Sequence, residues 1–185
     1  VKNGAKGGVF VAQDYDRPLI NSIKHLVAGG EVPMDDLFAV RYLIEPFAAA
    51  ELARNGGHEE FGELAKPLRE AASQAEEGKF IRALNFRFHR QVVRMSGNAI
   101  LGAVGETVLT ILVDYLKDLT SDEMSQTQLS FHNDLLEAIT AREETAARQI
   151  MTDDIRWLEE AIRDNDVLTK APWPQALDCG SEMKA

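Results

Sequence analysis

The sequence predicts an all-α fold, an antiparallel bundle of six to seven helices preceded by a remnant β-hairpin, on three observations. Apolar residues recur at spacings of three and four almost throughout the chain after Asp16. Clusters of Gly, Asn, Ser and Pro interrupt that pattern at helix-length intervals. No strand pattern appears beyond the first dozen residues, and short connections between long helices make neighbours antiparallel.

Taken in order, residues 1–13 carry Lys2 and Lys6, no acid, and a Gly4, Gly7, Gly8 turn signal before the β-branched and aromatic run Val9-Phe10-Val11. They read as the second half of a hairpin whose partner strand is mostly missing, or else as a disordered terminus. The chain starts at Val1 rather than Met, and these residues favour truncation as the reason. Residues 14–33 read as a linker with a short helix, Pro18–Val27, capped by Asp16 and stopped by Gly29-Gly30. The second helix is expected over Met34–Arg54, with an apolar stripe of Leu37, Val40, Leu43/Ile44, Phe47 and Ala50. A third spans Glu59–Glu77, where Pro67 predicts a kink or break. Lys79–Met95, Asn98–Leu119, Asp122–Ala141 and Glu143–Asp166 follow, so the main domain covers 34–166 and an irregular, Pro-containing tail covers 167–185.

Composition narrows the function. Among 185 residues, 20 Lys and Arg stand against 30 Asp and Glu, a formal charge of −10. Residues 1–13 hold +2, so the remaining 172 hold −12 (−10 less +2). Such a balance argues against this chain wrapping nucleic acid or lying on an anionic membrane. A single Cys, at 179, excludes an internal disulfide framework and fits a reducing, cytoplasmic setting. The apolar stretches are short and interrupted for a bilayer span. The fifth helix, apolar round most of its circumference, is expected either at the centre of the bundle or against a second subunit, the latter being favoured.

Three helices carry an apolar stripe broken by a candidate metal ligand. Asn85 and His89 stack four apart beside Ile81, Leu84, Phe88 and Val92; His132 interrupts Leu129, Leu136 and Ile139; Asp154 interrupts Ala147, Met151, Leu158 and Ala161. Buried polar groups need partners, and three helices pointing them inward satisfy them together. Asn85, His89, His132 and Asp154 are therefore the candidate metal set, two imidazoles, a carboxylate and an amide oxygen. A metal-free hydrogen-bonded pocket is the plain alternative. Arg41 and Glu45, four apart, read alone as a surface ion pair, against the functional reading of an Arg aimed inward at an anion.

The segments LFAVRYLIEPFAAAELA, LNFRFHRQVVRMSGNAIL and HNDLLEAITAREETAARQIM, in this order and spacing, resemble the effector-binding (FCD) domain of FadR-type regulators in the GntR family over roughly Asp35–Ile162. Residues 1–12 then resemble the wing of the family's winged helix-turn-helix. The resemblance implies a regulator whose DNA-reading helices lie outside this chain, with operator DNA and a homodimer partner. It implies a pocket of one Asp and three His; Asn85 stands at the Asp position and Asp154 at that of the last His, so formal charge is kept and an imidazole is lost. It assigns Arg41 to an effector carboxylate, and it leaves Asn98 either lining the cavity or capping the fifth helix. The expectation is not an enzyme but a sensor of a small organic acid, with a Zn-, Ni- or Mn-like divalent metal as cofactor. The competing class is a helical-bundle metalloenzyme using a metal-bound water, with His89 or Asp154 as general base. A ligand-free dimerisation module is the third.

Overall fold

A computed structural model describes residues 2–3, 9–10, 16–28, 32–77, 81–116 and 122–164. Two short strands, β1 (Lys2–Asn3) and β2 (Val9–Phe10), pair antiparallel with Lys2 opposite Phe10. Seven helices follow: α1 (Asp16–Ala28), α2 (Met34–Asn55), α3 (His58–Glu76), α4 (Arg82–Met95), α5 (Ala99–Leu116), α6 (Asp122–Thr140) and α7 (Glu144–Asp164). These match the expected helices to within a few residues. The tail expected over 167–185 lies outside the described residues.

Helix ends follow local chemistry. Asp35 and Asp36 lie in the first turn of α2, where negative charge meets the positive end of the helix dipole. At the far end, Gly56 closes against Leu52 and Phe61, where an added Cβ would sit 2.6 Å from the Leu52 carbonyl oxygen. Gly57 donates its amide to Glu60 Oε2 at 2.9 Å, fixing the first turn of α3. Between α6 and α7, Arg142 adopts a left-handed backbone (φ 65°). Its guanidinium reaches back to the Ala53 carbonyl (3.1 Å) in the last turn of α2 and lies over the Phe61 ring, which offsets that strain.

Three expectations are corrected by the fold. α3 runs unbroken through Pro67, whose ring is buried on the apolar face so that burial offsets the lost backbone bond. More consequentially, the inward face of α2 is not the apolar stripe drawn from the sequence. Leu43 is 75% exposed and Phe47 39% exposed, whereas Phe38, Arg41, Glu45, Ala48, Ala49 and Leu52 are buried. The helix is rotated so that a self-neutralising Arg–Glu pair, not Leu43, faces the core.

α2 is the central element, packed against α4, α5, α6 and α7, while α6 and α7 pack on each other and α3 closes on α4 and α6. Placing the fifth helix at the centre is thereby overturned. α5 packs against α1, α2 and α4 and leaves Ile100 exposed. By length and composition alone α5 would pass for a membrane span, with 44% of it buried; core helices share that signature, and Gly102, Gly105, Val108, Leu109, Ile111, Leu112 and Leu116 are among its buried residues. Gly105 makes the α4–α5–α2 contact close, with an added Cβ 2.7 Å from Val93 and 3.3 Å from Ile44.

Candidate metal and effector site

Four helices bury polar side chains in the core, in two layers. α2 supplies Arg41 and Glu45, α4 Asn85 and His89, α6 Gln128 and His132, and α7 Asp154, all of them 2% exposed or less. Because i and i+4 stack on one face, the His89–His132 layer lies one helical turn from an Asn85–Gln128 layer between the same two helices. Phe88 stacks on His132 (centroids 4.7 Å apart), and Phe38 and Phe86 flank the Arg41 guanidinium at 5.6 and 5.8 Å, so the cluster is walled by aromatic rings.

Its inner geometry is a triangle of donor atoms. His89 Nε2 and His132 Nε2 are 3.0 Å apart, and Asp154 Oδ2 lies 3.0 Å from the first and 3.2 Å from the second. The group has the residue types and proximity to hold a metal ion. Two ligand atoms each ~2.1 Å from one ion and ~90° apart are ~3.0 Å from each other, so these edges fit a divalent ion bound by two imidazoles and a carboxylate.

A second layer of contacts orients the triangle. A carboxylate only accepts, so His89 Nδ1 donates to Glu45 Oε2 (2.7 Å), which leaves Nε2 facing Asp154 and His132. Arg41 grips the same carboxylate with two prongs, Nε to Oε1 at 2.6 Å and Nη2 to Oε2 at 3.2 Å. Arg41 and Glu45 thus form the i,i+4 pair read from the sequence, but buried rather than on the surface. Glu45 itself is the site residue that reading missed. The signal was present: Phe38, Arg41, Glu45, Ala48/Ala49 and Leu52 keep a helical period of their own, on which both charges fall.

Charges inside the cluster set one another. Burial works to lower the basicity of Arg41, but the adjacent Glu45 charge outweighs it and holds the guanidinium firmly protonated. Burial likewise works to raise Glu45, and Arg41 and His89 together hold it below the usual carboxylate range. His89 is pushed up: burial opposes its charge, but Glu45 and Asp154 on its two sides prevail. His132 is pushed down by burial, against the attraction of Asp154. Asp154 is held well below its ordinary value, the two imidazoles overcoming burial. In the metal-free chain these directions favour the charged forms of Arg41, Glu45, His89 and Asp154 and the neutral form of His132, a set that balances in charge.

Four atoms of the cluster are nevertheless buried with no hydrogen-bond partner among the described residues: Arg41 Nη1, Asn85 Oδ1, His132 Nδ1 and Asp154 Oδ1. Buried polar atoms are nearly always satisfied, so this is the pattern of a site completed by an ion, a ligand or water. Asn85 spends its amide nitrogen on the Ser125 carbonyl (2.9 Å) and Gln128 Oε1 (3.5 Å), leaving only its oxygen to offer. Asn98 is not brought to this point. It is exposed, and its Oδ1 accepts the amides of Ile100 and Leu101 (3.1 Å each), the cap of α5. His25 and His58 are exposed and take no part.

Residues 36–156 match the family model of the FCD domain. No curated protein matches the chain. Among solved structures, Streptococcus agalactiae GntR is similar in fold, with TM-score 0.60 and 19% identity over 86% of this chain and 74% of that one.

Proposed function

We propose, on the premise that the chain belongs to the FCD domain family, that it senses a small organic acid through a bound divalent metal. On this reading it is the effector-binding and dimerising part of a cytoplasmic transcription regulator. Operator DNA is bound by a separate N-terminal domain, and the homodimer transmits the signal. The observation that carries the metal and effector reading is the buried His89–His132–Asp154 triangle together with the four unpartnered polar atoms around it.

The donor set fits a Zn-, Ni- or Mn-like ion. His89, His132 and Asp154 would hold it, with the Asn85 oxygen as a weaker neutral donor. Such an ion supplies a positive centre at which an anionic oxygen can bind. Arg41 Nη1, the one prong of the guanidinium without a protein partner, is the group to meet an effector carboxylate. Charge supports an anion as well. A divalent ion adds two positive charges and displaces the His89 proton, so the balanced cluster gains one net positive charge. An acid that fits the metal-loaded core better in one packing of the helices than in another shifts the dimer between two arrangements.

The metalloenzyme alternative fares worse. Its candidate bases, His89 and Asp154, are hydrogen-bonded to each other and almost fully buried.

The test is the melting temperature against a panel of carboxylates and sugar acids, with and without NiCl2. A ligand at 100 times its Kd stabilises by about 2.7 kcal/mol, or about 5–11 °C for a chain of this size. No shift with any acid, metal present or not, would refute the effector reading.

A further inference from the structure

Glu45 lies outside the donor triangle, yet it joins Arg41 to His89. Fully buried, it accepts from Arg41 Nε, Arg41 Nη2 and His89 Nδ1 within 3.2 Å. We infer that Glu45 is the positioning residue of the metal site. It holds one His89 proton on Nδ1, so that the proton a metal displaces is the one on Nε2, and Arg41 is the clamp that keeps Glu45 in place. This rests on the metal reading above.

The tautomer of His89 decides its use as a ligand. An imidazole binds a metal only through an unprotonated nitrogen, and its other nitrogen then carries the proton. A carboxylate at 2.7 Å from Nδ1 accepts that proton's hydrogen bond and cannot donate one, so Nε2 is the nitrogen that faces Asp154 and His132 and loses its proton when a metal binds. The two Arg41 prongs keep the Glu45 carboxylate from rotating away. His132 has no such support, since its Nδ1 finds no partner among the described residues. Of the two imidazoles, His89 is therefore the preorganised one.

Glu45→Gln inverts this logic at nearly constant volume. The amide can satisfy Arg41 only with its oxygen, which turns its NH2 toward His89 Nδ1. His89 must then accept at Nδ1 and carry its proton on Nε2, inside the triangle where the metal would bind.

The experiment titrates the chelator-stripped full chain with ZnCl2 in calorimetry, wild type against Glu45→Gln, with the metal-free melting temperature of both. Binding should weaken about 10- to 100-fold in the variant, while the metal-free chain still folds. A second measurement needs no variant: 15N NMR of the Zn-loaded wild type should show His89 protonated at Nδ1 and metal-bound at Nε2. Variant binding within twofold of wild type, or His89 bound through Nδ1, overturns the role of Glu45 and leaves the metal reading intact. A wild type that takes up no zinc overturns both. If the variant fails to fold, the NMR result alone decides.

Discussion

The buried Arg41–Glu45 pair offers the sharpest energetic test, because its two members are not equally dependent on each other. Arg41→Met leaves Glu45 with a second counter-charge, the His89 imidazolium at 2.7 Å, so the loss should be about 1–3 kcal/mol. Glu45→Leu leaves a buried guanidinium without an acceptor, with His89 Nδ1 at 3.4 Å and Asp154 acting on it only through space. Removing one partner of a buried pair costs about 3–5 kcal/mol. For a chain of this size that is a fall of about 6–20 °C in melting temperature. The double variant removes both charges and strands only the His89 Nδ1 hydrogen bond, worth about 1–2 kcal/mol. It should therefore be more stable than Glu45→Leu alone, with a coupling of at least about 2 kcal/mol. Urea melts in chelator measure all four corners of the cycle. Additive losses, or Arg41→Met as damaging as Glu45→Leu, would refute the asymmetry.

Three further outcomes follow from the same geometry. His89 is raised in the folded chain, so its contribution is present below about pH 6.5 and lost as pH rises; His132 is lowered, so its contribution is lost as pH falls below about 6.5. Metal-free stability should peak near about pH 6.5, and urea midpoints still rising at about pH 8.5 would contradict the His89 assignment. Gly105→Ala forces a methyl group into Val93 and should destabilise by about 1–3 kcal/mol. Adding Val93→Ala should reduce the clash, and a cost below about 0.5 kcal/mol for Gly105→Ala alone would show that α4 and α5 part freely. Asn98→Ala should cost about 0.5–2 kcal/mol through the lost cap while leaving metal uptake and carboxylate shifts unchanged. An altered carboxylate response would return Asn98 to the binding site.

The bundle was legible because each helix except α2 buries one face, and a polar residue in such a stripe stands out. His132 and Asp154 each broke a run of aliphatics, and Asn85 and His89 lay beside one. All four are buried, and three of them meet within 3.2 Å. The reading failed where burial is not one-sided. α2 packs against four helices, so no single wet face betrays its orientation, and the stripe through Leu43 and Phe47 was as regular as the true one through Arg41 and Glu45. Spacing alone reads an i,i+4 Arg–Glu pair the same way in water and in a core; only the neighbours Phe38, Phe86 and His89, two of them on another helix, distinguish the cases. The central placement of α5 fails for a related reason. Apolar composition reports how much surface is sheltered, not by which element, and α1 supplies part of the cover.

The central claim is that α4, α6 and α7 converge to hold one divalent ion in a core that then favours an anion. Calorimetric titration of the chelator-stripped chain with NiCl2 tests it most directly when run in two buffers of different ionisation enthalpy. The expected result is one ion per chain with about one proton released near pH 7, and saturable binding abolished by His132→Ala. No saturable uptake, or uptake unchanged in His132→Ala, would contradict it.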